Sequence, residues 1–114
     1  MHELSLAMTI LDVAAEEVIK NNAGIVREIQ LEVGTLSGVD AEALKFALLF
    51  AAKSTVLEGA SVIIIPAEGL GRCFRCDHSF NMTEIWTLCP VCNMPAGKII
   101  QGEELKFLSL TVDE

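Results

Sequence analysis

The 114-residue chain is poor in aromatic and in basic residues. It contains five Phe, one Trp and no Tyr, although 52% of its residues are apolar, so its core must consist mainly of Leu, Ile, Val and Ala. Eight Lys and Arg residues are outnumbered by sixteen Asp and Glu residues, and the net charge is −8. Because proteins that bind nucleic acids normally present a basic face to the phosphates, this balance argues against a nucleic-acid partner.

Long apolar runs and a targeting segment are also missing. The run ALKFALLFAA is too short to cross a bilayer and contains Lys45, so it predicts a buried helix. The first residues show no basic stretch followed by an apolar one, so we expect no secretory signal and no membrane span. We therefore expect a cytoplasmic protein, in which four cysteines indicate metal or redox chemistry rather than structural disulfides.

Two segments have the apolar periodicity of helices. The first is predicted at about 4–21 and ends at NNAG, where Asn22 or Gly24 can adopt a left-handed conformation. Its apolar residues recur at helical spacing: Leu4, Ala7, Met8, Leu11, Ala14, Ala15 and Val18. The second, DAEALKFALLFAAKS, begins with Asp40 in an N-cap position. It is apolar on nearly all sides, so we expect it to be well covered.

Three other segments have the patterns of strands. In IVREIQLEVG, apolar and polar residues alternate as in a strand with one wet face. The β-branched run Ala60–Ile65 predicts a buried strand that Pro66 ends. The segment EELKFLSLTV changes the phase of its alternation near Phe107 and Leu108, which indicates a bulge or a strand covered on both faces.

These elements predict an α+β fold with a small three-stranded sheet, two helices on one face, and an inserted zinc-ribbon-like module. The insertion is placed at 69–102, because this segment is short of aliphatic residues, contains all four cysteines and is bounded by glycines. The predicted domains are therefore 1–68 with 103–114, and 69–102.

The cysteines stand as CFRC, twelve residues, then CPVC, and this spacing predicts a zinc site formed by Cys73, Cys76, Cys89 and Cys92. Each tight turn lets two sulfurs hold the same ion, and two such turns complete a tetrahedron. Four thiolates leave no position for bound water, so the zinc is expected to be structural. About thirty residues cannot form a sufficient core alone, and the metal would supply the missing stability.

Two alternatives bear on the same segment. A thioredoxin-like redox pair would need a single Cys-x-x-Cys at the start of a helix, whereas this chain has two pairs and Pro95 closely follows the second. His78 lies two residues after Cys76. We interpret it as a solvated hairpin residue, and the competing hypothesis makes it a substitute ligand when a thiolate is lost.

The whole chain resembles the HypA/HybF family of nickel metallochaperones for hydrogenase maturation. The resemblance rests on the N-terminal MHEL, the helix-strand-helix-strand order, GTLSGVD before the second helix, and the inserted CxxC-x12-CxxC before a final strand. It implies that the chain delivers nickel(II) to the hydrogenase large subunit together with a partner GTPase, HypB, and that it is not an enzyme. Some relatives also serve urease. The sequence does not fix the oligomeric state, so a homodimer stays open.

The resemblance directs attention to the N-terminus as the nickel site. Nickel(II) favours imidazole and amine nitrogens, and the Met1 amine, the His2 amide and the His2 ring offer three nitrogens in one stretch. Glu3 would add an oxygen or orient the ring, and Asp40 matches a position implicated in the family's site. Taken alone, His2 would be interpreted as a solvated terminal residue, Glu3 as a first-turn carboxylate and Asp40 as an N-cap.

Two other classes of function were compared with the metallochaperone. A zinc-ribbon module that binds a partner without transferring nickel is the main alternative, and in a nucleic-acid-binding form it would require clustered Lys and Arg. A thiol oxidoreductase would require free thiols, whereas bound zinc would keep all four occupied.

Overall fold

The computed structural model describes residues 3–22 and 24–113. In this part of the chain the helices are α1 (Glu3–Lys20) and α2 (Ala41–Ala51). The strands are β1 (Ile25–Gly34), β2 (Ser61–Ala67), β3 (Gly69–Cys73), β4 (Ser79–Met82), β5 (Ala96–Gln101) and β6 (Leu105–Asp113). None of the described helices is both long and apolar enough to span a membrane.

One sheet has the strand order β2-β1-β6, which confirms the predicted three-stranded sheet. Its central strand buries Ile29, Leu31 and Val33, the apolar set of the predicted alternation. A small cavity of about 20 Å³ is lined by residues of α1, α2, β1 and β2. Because Leu11 and Leu48 line it together with Ile29 and Val62, both helices pack on the same face of the sheet.

The end of α1 follows the predicted stop signal. Asn22 has a φ of 53°, so it takes the left-handed conformation that was expected of it or of Gly24. The backbone N–H of Asn21 donates to the Glu17 carbonyl at 3.0 Å and completes the last helical turn. The local sequence therefore determines where this helix ends.

The expectation that α2 is well covered was wrong. Leu44 and Leu48 are its buried residues, whereas Phe46 is 74% exposed and Phe50 62% exposed. Only one side of this short helix has a sheet and a neighbouring helix to pack against. The opposite side of the helix is also apolar in sequence, but no element of the described chain covers it.

Two strand predictions also need correction. Pro66 lies inside β2 instead of ending it, which is tolerated because β2 is an edge strand. The same strand buries only Val62 and Ala67, so the prediction of a buried strand was wrong. In β6 the burial pattern changes phase at Leu108 and Ser109, close to the predicted position, and both residues are exposed. This exposure excludes coverage on both faces and leaves the bulge as the interpretation.

A second sheet has the order β4-β3-β5, and it carries the cysteine-rich segment. The chain divides into two compact units, one formed by residues 1–31, 40–65 and 106–114, here the helical unit, and one formed by 32–39 and 66–105, here the cysteine unit. The cysteine unit thus extends a few residues beyond 69–102 on each side and includes a separate segment, 32–39. In that segment Leu36 packs into the core of the cysteine unit.

Candidate metal centre

The first pair of cysteines lies on a tight turn at the end of β3. The N–H of Cys73 donates to the His78 carbonyl at 2.9 Å, and the N–H of Asp77 donates to the Cys73 carbonyl at 3.1 Å. Within this loop the N–H groups of Arg75 and Cys76 point at the Cys73 sulfur, at 3.4 and 3.5 Å. The turn therefore presents a sulfur whose negative charge is stabilised by backbone donors.

The second pair repeats the same backbone pattern. The N–H of Cys89 donates to the Met94 carbonyl at 2.8 Å, and the N–H of Asn93 donates to the Cys89 carbonyl at 2.8 Å. Asp77 and Asn93 occupy equivalent places, one residue after the second cysteine of each pair, with φ values of 63° and 61°. Asn and Asp tolerate this left-handed conformation better than most residues, so the two turns share one geometry for the same reason.

The two turns bring all four sulfurs together, within 4.8 Å of one another. The Sγ–Sγ distance is 3.7 Å between Cys76 and Cys89 and 3.6 Å between Cys92 and Cys76. Four thiolates about 2.3 Å from a central zinc would lie roughly 3.8 Å apart, so these separations fit a tetrahedral ion. The Cys73–Cys92 pair is closer, at 3.1 Å, and would open slightly around the ion.

Burial and hydrogen bonding shift the pKa values of the Cys73 and Cys92 thiols in opposite directions. The N–H of Cys76, together with the Cys92 thiol and the N–H of Arg75, lowers the pKa of Cys73 to about 6 against the cost of its burial. The hydrogen bond between Cys92 and Cys73 favours the protonated form of Cys92, and with burial it raises the pKa of Cys92 to about 12. Cys73 therefore ionises first, and a metal ion must displace the proton of Cys92 at neutral pH.

A small apolar core supports the sulfur cluster. Cys73 and Cys89 are buried together with Leu36, Phe80 and Met82. Two of these five residues belong to the cysteine cluster, so the candidate metal centre forms part of the core. This arrangement fits a structural ion better than a reactive one.

His78, the second histidine of the chain, does not belong to the cysteine cluster. His78 is exposed, and its backbone carbonyl accepts the hydrogen bond of Cys73. Among the described residues, the four cysteines form a group of potential metal ligands, and His78 is not part of that group. Its role as a substitute ligand stays a prediction.

Of the four residues proposed for nickel, Met1 and His2 lie outside the described residues. Glu3 and Asp40 are 37 positions apart in sequence, and the backbone N–H of Asp40 donates to Glu3 Oε2 at 3.1 Å. Asp40 is also the N-cap of α2, since its Oδ1 accepts from the Ala43 N–H at 3.1 Å. The first residue of α1 and the start of α2 therefore meet, so Asp40 both caps α2 and lies beside Glu3.

Three contributors to the cysteine unit were not identified from the sequence. Leu36 stands in a loop rich in small and polar residues, and nothing local distinguishes it as a core residue. Asp77 and Asn93 did carry a signal, because each directly follows a Cys-x-x-Cys pair and each is of a type that accepts a positive φ.

The fold and the cluster define a two-unit protein, in which an α+β unit is joined to a four-cysteine module of the zinc-binding kind. The model of the family described as "Hydrogenase/urease nickel incorporation, metallochaperone, hypA" matches residues 1–112. The chain belongs to this family, as its resemblance predicted.

Named relatives agree with the family match. The hydrogenase maturation factor HypA of Parabacteroides distasonis is 39% identical over 112 residues, covering 98% of this chain and 97% of that protein. The factor of the same name from Chlorobaculum parvum is 37% identical and covers 99% of this chain and 100% of that protein. The solution structure of the Ni metallochaperone HypA from Helicobacter pylori superposes with a TM-score of 0.68 at 26% identity, covering 98% and 97%.

Proposed function

We propose that this protein is a nickel metallochaperone that binds nickel(II) at its N-terminus and delivers it to a hydrogenase, or to urease, during maturation of the enzyme. It carries a structural zinc ion in the cysteine unit and catalyses no reaction itself. The proposal rests on membership of a nickel-incorporation family over residues 1–112. The geometry of the two candidate metal sites supports it separately.

The contact between Glu3 and Asp40 is the observation that carries the nickel site. Each carboxylate commits one oxygen to the start of α2, and each has a second oxygen that could coordinate a metal ion. His2 directly precedes Glu3 in the chain, so the terminal nitrogens are adjacent in sequence to the Glu3 member of this pair. Nitrogen and carboxylate donors together suit nickel(II), and a site at the chain start favours release of the ion to an acceptor.

The cysteine unit supports a structural zinc. Four sulfurs fill a tetrahedron, leaving no open position for substrate or water, and the centre is part of a small core. When bound, the ion would hold the two chelating turns together, and its binding free energy would stabilise the fold of this unit. The two metals thus have different roles, one as cargo and one as a structural component.

The family assignment supports the proposed partners. The recipient would be the large subunit of a nickel hydrogenase, and the GTPase HypB would assist the transfer, as the resemblance implies. We propose that the protein acts in the cytoplasm, where a reducing environment keeps free cysteines available for metal. A homodimer is compatible with this function.

Nickel titration of the untagged protein tests the proposal directly. His2→Ala should abolish saturable nickel binding, because it removes the imidazole next to the Met1 amine. His78→Ala is the matched control, since it removes the other imidazole of the chain and should leave nickel binding unchanged. A Gly-Ser extension before Met1 converts the amine into an amide and should weaken binding in the same direction as His2→Ala.

Circular dichroism and zinc content would show whether each variant is folded. Nickel affinity that stays unchanged in a folded His2→Ala protein would contradict the proposed site. It would favour the alternative function, a zinc-ribbon module that binds a partner without transferring nickel.

A further inference from the structure

Two basic residues stand directly opposite each other on the second sheet. Arg72 of β3 is the register partner of Lys98 of β5, and both side chains are exposed. Like charges in such a pair repel and destabilise a sheet, unless an anion is bound between or beside them. Arg75, also exposed, follows three residues after Arg72 in the first chelating turn. These three residues are called the basic ridge.

Arg72 does not share a face of β3 with the sulfur of Cys73, although Arg75 lies within the chelating turn itself. Burial alternates along β3, so Cys73 lies on the covered face while Arg72 lies on the solvent face. Asp77 lies 3.7 Å from Arg72, between Oδ1 and Nε, but its side chain is 84% exposed and such a contact is weak in water. The segment 69–102 contains three of the eight basic residues but two of the sixteen acidic ones, so it differs in charge from the rest of the chain.

An exposed aromatic ring accompanies the ridge. Phe74 lies between Cys73 and Arg75 and is 64% exposed. Its backbone and Cβ cover Gly97, where an added Cβ would come within 2.3 Å of the Phe74 Cβ. Phe74 thus lies against the residue before Lys98 and directly precedes Arg75 in the chain. Basic groups around an exposed apolar side chain are typical of a surface that binds another protein.

We propose that the basic ridge with Phe74 is the docking surface for an acidic segment of the nickel-accepting enzyme precursor, whose apolar side chain packs on Phe74. This inference rests on the proposed function, because that function supplies the recipient. Carboxylates of the segment would relieve the repulsion between Arg72 and Lys98 and give affinity that falls with salt. The ridge belongs to the cysteine unit, so docking uses residues other than the nickel-binding terminus.

Binding to the purified, nickel-free precursor of the hydrogenase large subunit tests the surface. Arg72→Glu/Lys98→Glu reverses the ridge, Arg72→Gln/Lys98→Gln neutralises it, and Phe74→Ser removes the ring. The matched control is Lys45→Glu/Lys53→Glu, which makes the same charge change at two exposed lysines of the helical unit. Affinity would be measured by biolayer interferometry at low and high salt, with zinc content and circular dichroism as folding controls.

Charge reversal of the ridge should lower affinity at low salt by at least about tenfold and remove most of the salt dependence, while the control pair changes it by less than about twofold. The neutral pair should fall between the wild type and the reversed pair, so it reports on the ridge even where reversal unfolds the cysteine unit. Phe74→Ser should weaken binding without changing its salt dependence.

Three results would overturn the inference. The first is that both ridge variants bind the precursor with wild-type affinity. The second is that the control pair loses as much affinity as the ridge variants. The third is that the wild type binds double-stranded DNA with comparable affinity through the same residues. Nickel titration of the same variants separates this inference from the proposed function. If the ridge variants bind nickel and dock as well as the wild type, the ridge inference is rejected alone. If the wild type itself does not bind nickel, the proposed function is rejected.

Discussion

The two units of the molecule achieve a folded core in different ways. Fourteen of the twenty-one buried hydrophobic residues among those described belong to the helical unit, and seven belong to the cysteine unit. Two of those seven are Cys73 and Cys89. Apolar packing can therefore hold the helical unit without metal, whereas we expect the cysteine unit to need the proposed ion to complete its smaller core.

This difference fits the two metal roles proposed for the chain. A structural ion should be part of the core, as the buried sulfurs of Cys73 and Cys89 are. A cargo ion should be bound where its loss leaves the fold intact, and the Glu3–Asp40 contact joins helix starts at the surface without contributing to the buried core. In the proposed function, the molecule thus separates the ion that stabilises it from the ion that it transfers.

Removal of zinc should distinguish the two units most strongly. Chelation at neutral pH should unfold the segment 69–102 while the amides of α1 keep their protection, because only the cysteine unit lacks a sufficient apolar core. Hydrogen exchange with mass spectrometry measures both regions in one sample. Simultaneous loss of protection in α1 and in the cysteine segment would show that the two-unit description is wrong.

Acidification should also release zinc and thereby unfold the cysteine unit before the helical unit. Zinc binding must displace the proton of Cys92, whose pKa is raised to about 12. It must also displace that of Cys76: the His78 N–H lowers the pKa of this thiol, but burial and the hydrogen bonds with Cys73 and Cys89 raise it overall. Below about pH 6 the Cys73 thiolate also takes up a proton. Zinc affinity should therefore rise with pH, by at least about a hundredfold per unit near neutrality because two or more protons are displaced, and more steeply below pH 6.

Competition with a zinc indicator at several pH values would measure this slope. A zinc affinity that does not change between pH 6 and pH 7 would mean that the sulfurs bind the ion without losing protons, which the cluster does not allow.

A pair of leucines can test the assignment of core residues to each unit. Leu36 lies in the core of the cysteine unit, and Leu48 is buried in the helical unit. Truncation of either to Ala should cost about 2–5 kcal/mol, since a buried cavity replaces the side chain. Leu36→Ala should lower the thermal stability of the zinc-bound cysteine unit, and Leu48→Ala that of the helical unit.

Exchange rates in each unit would show where each leucine acts. If hydrogen exchange in the cysteine unit is unchanged in Leu36→Ala, the segment 32–39 does not belong to that unit, and its boundaries lie closer to 69–102.

The smallest effect is expected at Asp40, where capping and metal binding can be separated. Asp40→Asn keeps a cap that accepts from the Ala43 N–H, whereas Asp40→Ala removes it at a cost of about 1 kcal/mol. If Asp40 also binds nickel, both variants should weaken nickel affinity, although only the alanine variant should lower stability. Nickel affinity that falls in the alanine variant alone would identify Asp40 as a cap and not a ligand.

The sequence predicted those features that depend on local spacing. The Cys-x-x-Cys pairs predicted the sulfur cluster, and the alternation around Ile29 predicted the central strand, because both patterns follow from backbone geometry. The coverage of α2 was not predictable in this way. Phe46 and Phe50 have the same apolar character as Leu44 and Leu48, and only the position of the neighbouring elements decides which pair is buried.

The supporting residues of the cysteine unit were missed for a related reason. Leu36 reaches that core from a segment more than thirty residues before the first cysteine, and no local pattern records such a contact. Pro66 was predicted to end a strand because proline cannot donate a ladder hydrogen bond, but an edge position removes that penalty. Edge positions depend on strand order, which the sequence alone does not determine.

Counting both metals on two variants tests the central claim, that cargo nickel and structural zinc are bound by separate units. Wild type, His2→Ala and Cys92→Ser would be loaded with both ions, and nickel and zinc per chain measured by native mass spectrometry. We predict that His2→Ala keeps zinc and loses nickel, and that Cys92→Ser loses most of its zinc and keeps nickel. Loss of both metals in either folded variant would show a shared site and contradict the separation.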